Sequence, residues 1–353
     1  MFLIREYLCD LVTGKIKGPE GVLLRGCLFI LSLVYGLVVV ILAGFYRIRP
    51  KRFKARVISV GNITLGGTGK TALVEYLSAK LSLAGNKVAV LSRGYKRDFS
   101  RPGAQGLGDE PAMLKKNLPA VQIVVDKDRI RAAQTAIRNY ASDILILDDG
   151  LQQWKIYKDL EIVTIDAHYP FGNYRLLPAG FLREPLTALK RADIFVLTQA
   201  CPGQNLDKLT EKLVRINSRA LIVESIHQPQ GISRLDQENE LLDCEFFKGK
   251  PAAIFSGIGN PGGFENSIRG LGIKIAKHFK FDDHHDYTQT DILRIVKEVK
   301  ENHLEAIITT QKDAIKVREL DIKGAEIFVL KIRLSITKNE AEFNRRLLKL
   351  YSF

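Results

Sequence analysis

Val57-Ile58-Ser59-Val60-Gly61-Asn62-Ile63-Thr64-Leu65-Gly66-Gly67-Thr68-Gly69-Lys70-Thr71 is the stretch that decides the fold. It opens as an apolar, β-branched run of strand type and turns through glycines. Lys70 then begins a segment of helical spacing that runs to Leu83 and is stopped by Gly85. Strand, glycine turn and helix in that order make a phosphate cradle. Backbone N–H groups of the turn and the helix N-terminus favour an anion, and glycine lets the main chain approach it closely. Thr64, Gly66, Gly67, Thr68 and Gly69 are the expected nucleotide-binding positions, with Lys70 on the β- and γ-phosphates and the Thr71 hydroxyl on Mg²⁺. The strict spacing G-x-x-x-x-G-K-[ST] is not met, because Thr64 stands at the first glycine. The flanking strand and helix carry the assignment instead.

Beyond this loop, Val- and Ile-rich runs recur at Val88–Leu91, Val121–Val125, Ile144–Leu147, Ile162–Ile165, Ile194–Leu197 and Leu221–Val223, with helical segments such as Arg129–Tyr140 between them. Continuous apolar strands separated by helices predict a parallel sheet covered on both faces. A second series, from Ala252–Phe255 to Ile327–Leu330, begins after a polar stretch from His227 to Lys250. The expected fold is therefore α/β: a P-loop NTPase-like parallel-sheet lobe over 51–226 and a second α/β lobe over 227–353 that closes over the active site. An N-terminal hydrophobic membrane-anchoring helix with a basic flank is expected over 1–50.

The run Ile144-Leu145-Ile146-Leu147 ends in Asp148-Asp149-Gly150, a strand that delivers two carboxylates where P-loop enzymes hold their metal. Neighbouring residues of a strand face opposite ways, so one carboxylate is expected on Mg²⁺ and the other on a neighbour, with the order left open.

Net charge is +14, and residues 1–56 hold 10 basic against 3 acidic side chains, half of that excess. Inside this segment Gly26–Tyr46 is a run of 21 uncharged residues, long enough as a helix to reach about 31 Å, close to a bilayer core of about 30 Å. Arg47, Arg49, Lys51, Arg52, Lys54 and Arg56 follow it, and the excess of cations places the rest of the chain on the cytoplasmic side. The run either spans the membrane or lies in its interface. No basic helix interleaved with aromatics follows residue 60, so no nucleic-acid partner is expected. Cys9, Cys27, Cys201 and Cys244 are too far apart to write a disulfide framework or a zinc site.

Two nucleotide-binding classes are excluded. Leu65 stands where partition-type ATPases need a lysine before the glycine pair, and Thr310-Gln311-Lys312-Asp313 does not supply the N-K-x-D spacing that reads guanine. Four strings then become informative together: Ser92-Arg93-Gly94-Tyr95, Gly108-Asp109-Glu110-Pro111, Asp148-Asp149-Gly150-Leu151-Gln152, and Pro170-Phe171-Gly172-Asn173-Tyr174-Arg175 running on to Leu182-Arg183-Glu184-Pro185. With the glycine loop they closely resemble the tetraacyldisaccharide 4′-kinase family of lipid A biosynthesis. Phe255-Ser256-Gly257-Ile258-Gly259-Asn260-Pro261, Asp283-His284-His285-Asp286-Tyr287 and Thr309-Thr310-Gln311-Lys312-Asp313-Ala314 are similar to that family's later motifs, so the resemblance covers nearly the whole chain.

The resemblance implies an inner-membrane enzyme that uses ATP and Mg²⁺ to phosphorylate the 4′-hydroxyl of a tetraacylated glucosamine disaccharide 1-phosphate, between two α/β/α lobes. It implies Asp109 as the base, with His284 or His285 as its partner and a slight preference for His284. Arg93, Tyr95, Glu110, Arg129, Gln152, Arg175 and Arg183 become candidates for holding the lipid phosphate or the nucleotide, since guanidinium forks match phosphate oxygens. No obligate protein partner is inferred. Three positions depart from the pattern: Lys96 and Tyr174 replace glycines, and Gln153 replaces a histidine, which puts any proton role at that position in doubt. The competing readings are a membrane-anchored switch or assembly ATPase, which gives no role to Asp109 or the histidines, and a kinase of another lipid acceptor.

Overall fold

The strand, glycine turn and helix form where the sequence predicts them. The computed structural model describes residues 7, 10–94, 108–200, 204–237, 240–318, 320–322 and 326–350. Its elements begin with α1 (Pro19–Ile48), β1 (Arg56–Asn62), α2 (Lys70–Leu83), β2 (Val88–Ser92), α3 (Asp109–Asn117), β3 (Gln122–Val125), α4 (Arg129–Tyr140), β4 (Ile144–Asp148), β5 (Leu160–Asp166) and β6 (Ile194–Thr198). They continue with α5 (Asp207–Ile216), β7 (Leu221–Arg234), β8 (Pro251–Ser256), α6 (Pro261–Gly270), β9 (Lys274–Lys280), α7 (Gln289–Glu301), β10 (Ala306–Thr310), α8 (Gln311–Val317), β11 (Ile327–Lys338) and α9 (Glu340–Leu348). Tyr95 and Lys96 lie outside the described residues.

Two compact units divide the chain. Met1–Lys70, Arg129–Ser225 and Ile336–Phe353 form one, and Thr71–Asp128 with Ile226–Ser335 form the other. In the first, parallel strands pair in the order β4-β1-β5-β6-β7. Every residue of β1 after Arg56 is buried, as are all of β4 and β6, which is what strands covered on both faces require. Ile63, Val163, Ile165, Phe171, Phe195 and Leu197 lie in one core on this sheet.

The second unit pairs β2 with β3 and, separately, β11-β10-β8-β9, again all parallel. Here β8 shows the period of a strand directly. Ala253 and Phe255 join a core with Ile292 and Ile295 of α7, whereas Ala252 and Ile254 join another with Phe264 and Ile268 of α6.

Helix α1 belongs to the first unit. Its most apolar window has a mean hydropathy of 2.7, yet 22% of that window is buried in protein. Ser32, Gly36, Val39 and Ala43 form the buried stripe, at the three- and four-residue steps that put side chains on one helical face. A Cβ on Gly36 would sit 2.5 Å from Leu176 Cδ1, the Tyr35 hydroxyl donates to the Arg183 carbonyl at 2.9 Å, and the Arg175 guanidinium lies 5.3 Å over the Phe29 ring. Leu33, Leu37, Val40, Ile41 and Phe45 are exposed.

Candidate active site

The first unit gathers the candidate phosphate-binding groups. Gly66 and Gly69 adopt φ values of +112° and +73°, the left-handed region that glycine enters freely, and a Cβ on Gly66 or Gly67 would meet no heavy atom within 4 Å. The mouth of the loop is thus open. Thr68 Oγ1 lies 2.7 Å from Thr164 Oγ1, the Thr198 hydroxyl donates to the Thr68 carbonyl at 2.9 Å, and Asn62 Nδ2 donates to the Thr64 carbonyl at 2.8 Å. These bonds tie the turn to β5, β6 and β1. Lys70 Nζ donates to Asn62 Oδ1 at 2.9 Å and stands 3.6 Å from Asp149 Oδ1.

Asp148 ends β4 and is 6% exposed. Asp149 does not continue the strand: its φ of +58° turns the chain, so the alternation expected of two strand residues stops between them. The turn sits tightly on β1, where a Cβ on Gly150 would fall 2.3 Å from Ser59 Oγ and one on Gly61 would fall 2.5 Å from Leu151 N. That close approach explains the glycine after the acid pair. Arg183 Nη1 donates to both Asp149 oxygens at 2.9 Å. Burial pushes the Asp149 carboxyl up, but Lys70 and Arg183 outweigh it and hold it below the usual carboxylate range.

Behind this group lies a polar network that the sequence did not foretell. Glu184, 1% exposed, accepts from Gln152 Nε2 at 3.1 Å, Trp154 Nε1 at 3.4 Å and both Arg191 Nη atoms at 2.8 and 2.9 Å. Gln152 Oε1 in turn accepts from Arg183 at 3.1 Å. Gln152 therefore orients Arg183. Arg129 is buried and turned toward the Asp148 carbonyl, with its Nη2 at 3.5 Å. This places the guanidinium beside the end of β4. Arg175 is exposed on the α1 side of its loop.

Hard oxygen donors suit Mg²⁺, which takes one or two carboxylates and completes its shell with substrate phosphates. Thr71, Asp148 and Asp149 fit that role, and among the described residues no group of three His, Cys, Asp or Glu forms a self-contained metal site. The ion would be shared with the nucleotide.

The second unit holds a separate constellation. Asp109 and Glu110 open α3. His284, at a φ of +62°, has Nδ1 at 3.1 Å from Asp109 Oδ2, and Lys316 Nζ is 2.9 Å from the same oxygen. Lys312 Nζ is 3.2 Å from His284 Nε2, 3.2 Å from Glu110 and 3.4 Å from Asp283. An ammonium has no lone pair, so His284 Nε2 accepts and Nδ1 carries the proton toward Asp109. Burial pushes the Asp109 carboxyl up, but the bonds from His284 and Lys316 outweigh it and hold it below the usual range. Burial pushes Lys312 down, and Glu110 with Asp283 more than reverses this.

The structure separates the two histidines. His285 Nε2 bonds Asp291 Oδ2 at 3.1 Å, within the capping box of α7, and its ring stacks on Phe281 at 4.6 Å. This corrects the expectation that either ring could serve Asp109: His285 is spent on packing and capping. Asp313, fully buried, fixes the other ring indirectly. It accepts from the Gly257 N–H at 3.1 Å, and the Gly257 carbonyl accepts from the His284 N–H at 3.1 Å. Lys312 and Lys316 were missed, although their i, i+4 spacing on α8 puts two cations on one face. Arg93 is exposed just after β2.

Of the departures, Tyr174 has a φ of +61°, in the left-handed region that favours glycine. Its ring packs on Phe171 at 5.6 Å and beneath the Lys212 ammonium at 3.9 Å. The Gln153 N–H closes the turn onto the Gly150 carbonyl at 2.9 Å.

The family model of the tetraacyldisaccharide-1-P 4′-kinases matches residues 24–352. The chain belongs to that family. It is 34% identical over 367 residues to the tetraacyldisaccharide 4′-kinase of Halothermothrix orenii, covering 94% of each chain, and 38% identical over 307 residues to that of Elusimicrobium minutum, covering 82% and 80%. The crystal structure of LpxK from Aquifex aeolicus with ATP superposes with a TM-score of 0.72 at 28% identity, covering 93% of this chain and 100% of that one. As a tetraacyldisaccharide 4′-kinase family member it is a phosphotransferase with a P-loop-type lobe and a second α/β lobe.

Proposed function

We propose that the chain transfers the γ-phosphoryl group of ATP to the 4′-hydroxyl of a tetraacylated glucosamine disaccharide 1-phosphate, a step of lipid A biosynthesis. Family membership supports the reaction, and the observation that carries the mechanism is the Asp109–His284 pair. Phosphoryl transfer asks mainly for positioning and charge stabilisation. In this reading the backbone N–H groups of 66–70 and the cations of Lys70 and Arg183 hold the phosphates. Thr71, Asp148 and Asp149 would hold Mg²⁺, which would neutralise charge developing on the transferring phosphoryl group. The 4′-oxygen bonds to the γ-phosphorus, the bond to the β,γ-bridging oxygen breaks, and the hydroxyl proton passes to Asp109. His284, kept in its Nδ1–H form by Lys312, aims the carboxylate. Lys316 keeps it anionic.

The acceptor carries acyl chains, so the enzyme works at a membrane surface. The exposed apolar face of α1 supports attachment there, and its buried stripe favours a helix lying in the interface over one surrounded by lipid. The cationic flank after Tyr46 favours the cytoplasmic face of the inner membrane. The chemistry calls for no protein partner.

Detergent-solubilised protein with Mg²⁺, γ-labelled ATP and the tetraacylated disaccharide 1-phosphate tests the reading, with Lys70→Ala as control. Label is expected on the lipid. Release of free phosphate with an unlabelled lipid would sink the kinase reading for this acceptor.

A further inference from the structure

We propose that a cavity at the carboxyl end of α1 binds the phosphates of anionic membrane phospholipids. The inference rests on the membrane-surface reading of α1 above. The cavity, of about 630 Å³, is lined by Tyr46, Arg49, Pro50, Lys51, Arg52, Ile130 and Lys155. None of these residues belongs to the phosphate-binding or base constellation.

Four of the seven are cations and none is an acid. Among the described residues none of the four has a carboxylate partner, although the surface elsewhere is rich in ion pairs such as Arg56–Asp159 and Lys338–Glu224. Like charges held together without a counter-ion repel, and an anion relieves them. The frame that holds them is built. Lys51 N–H donates to the Lys155 carbonyl at 2.7 Å and Tyr157 N–H to the Lys51 carbonyl at 2.9 Å, so both segments share one ladder. The Arg52 guanidinium lies 3.4 Å over the Tyr157 ring and the Lys155 ammonium 4.5 Å over the Tyr46 ring. A stacked guanidinium keeps its N–H edge free for phosphate oxygens.

Position and charge choose the ligand. The cavity starts at Tyr46 in the last turn of α1, beside the exposed apolar residues Phe45 and Ile48, and an interfacial helix puts such an end at headgroup depth. Four cations exceed the charge of about −2 on a single phosphate monoester. They suit several phosphodiester headgroups of a bilayer, each carrying one charge.

The test is co-sedimentation of the full chain with vesicles of phosphatidylcholine alone or with about 25% phosphatidylglycerol. The wild type is expected to prefer the anionic vesicles, and Lys51→Gln/Arg52→Gln to lower that preference by about 30-fold, since each cation near the surface contributes about fivefold. Arg52→Lys should retain it. A control that removes the same charge from exposed sites elsewhere, Arg215→Gln/Lys297→Gln, should retain it too. An equal loss in the control would reduce the effect to net charge and overturn the proposal, as would an unchanged preference in the pocket variant. A raised KM for the acceptor in uncharged micelles would give the cavity to the acceptor's own phosphate and overturn it as well. If the wild type binds neither vesicle, the membrane reading of α1 itself fails and takes this inference with it.

Discussion

The two constellations solve different problems with different parts. Around Lys70 the working surface is main chain: glycines at positive φ, an open loop mouth, and two cations that Asp149 balances in this structure. Around Asp109 it is side chain: a carboxylate, an imidazole and two lysines bonded to one another. A backbone cradle is written in a few adjacent residues. A side-chain relay is assembled from residues 175 positions apart. In the proposed mechanism the first holds a charged group and the second sets one proton acceptor, so damage to each should be seen in different measurements.

The largest expected separation comes from Asp109→Asn, which removes the proton acceptor and keeps the shape. Transfer should fall by about 10²- to 10⁴-fold, while ATP affinity measured by calorimetry stays at the wild-type value. Lost nucleotide binding would erase the distinction between the halves. Lys70→Ala should do the converse, weakening ATP binding and lowering transfer by about 10²- to 10³-fold, the usual cost of one preorganised phosphate contact. Unchanged ATP affinity in that variant would contradict the cradle.

Lys316→Met sharpens the comparison through pH. Burial raises the Asp109 carboxyl and its bonded neighbours lower it further than burial raises it. The Asp109 carboxylate, the proposed base, therefore stays anionic below the ordinary carboxylate value of about 3.9. The stability gained from this pairing is present above the unfolded value and is lost as pH falls through the lowered folded one. Without Lys316 the burial effect is less opposed, so the acid limb of kcat/KM should move to higher pH. An unmoved limb would mean that Lys316 does not act on Asp109. The smallest effect is expected at Tyr174. Tyr174→Gly removes a left-handed tyrosine but also its ring packing and restores glycine's unfolded freedom, so thermal unfolding should change by less than about 1 kcal/mol.

What was legible follows the same division. The glycine loop, most strands and the long apolar helix are local patterns that reappear in the structure, although β7 runs on to Arg234, through part of the polar stretch read as a boundary, and α1 spans Pro19–Ile48. Asp148 and Asp149 were visible as a pair, but their separate fates depend on a backbone turn at Asp149 that spacing does not encode. His284 and His285 are chemically identical in sequence. Asp291 of the α7 capping box, which accepts from the His285 ring, and Asp109 and Lys312, which bond the two nitrogens of the His284 ring, tell them apart. Family resemblance pointed to Asp109, and nothing local would have. Glu184 shows the remaining limit: inside a recognised motif its carboxylate had no assigned role, and its partners Trp154 and Arg191 reveal a buried strut.

The most direct test of the account is a single turnover of labelled ATP by Asp109→Asn, saturated with nucleotide and mixed with the acylated disaccharide. The account predicts full ATP occupancy with the label remaining on the nucleotide. Label reaching the lipid at the wild-type rate would show that Asp109 is not the proton acceptor.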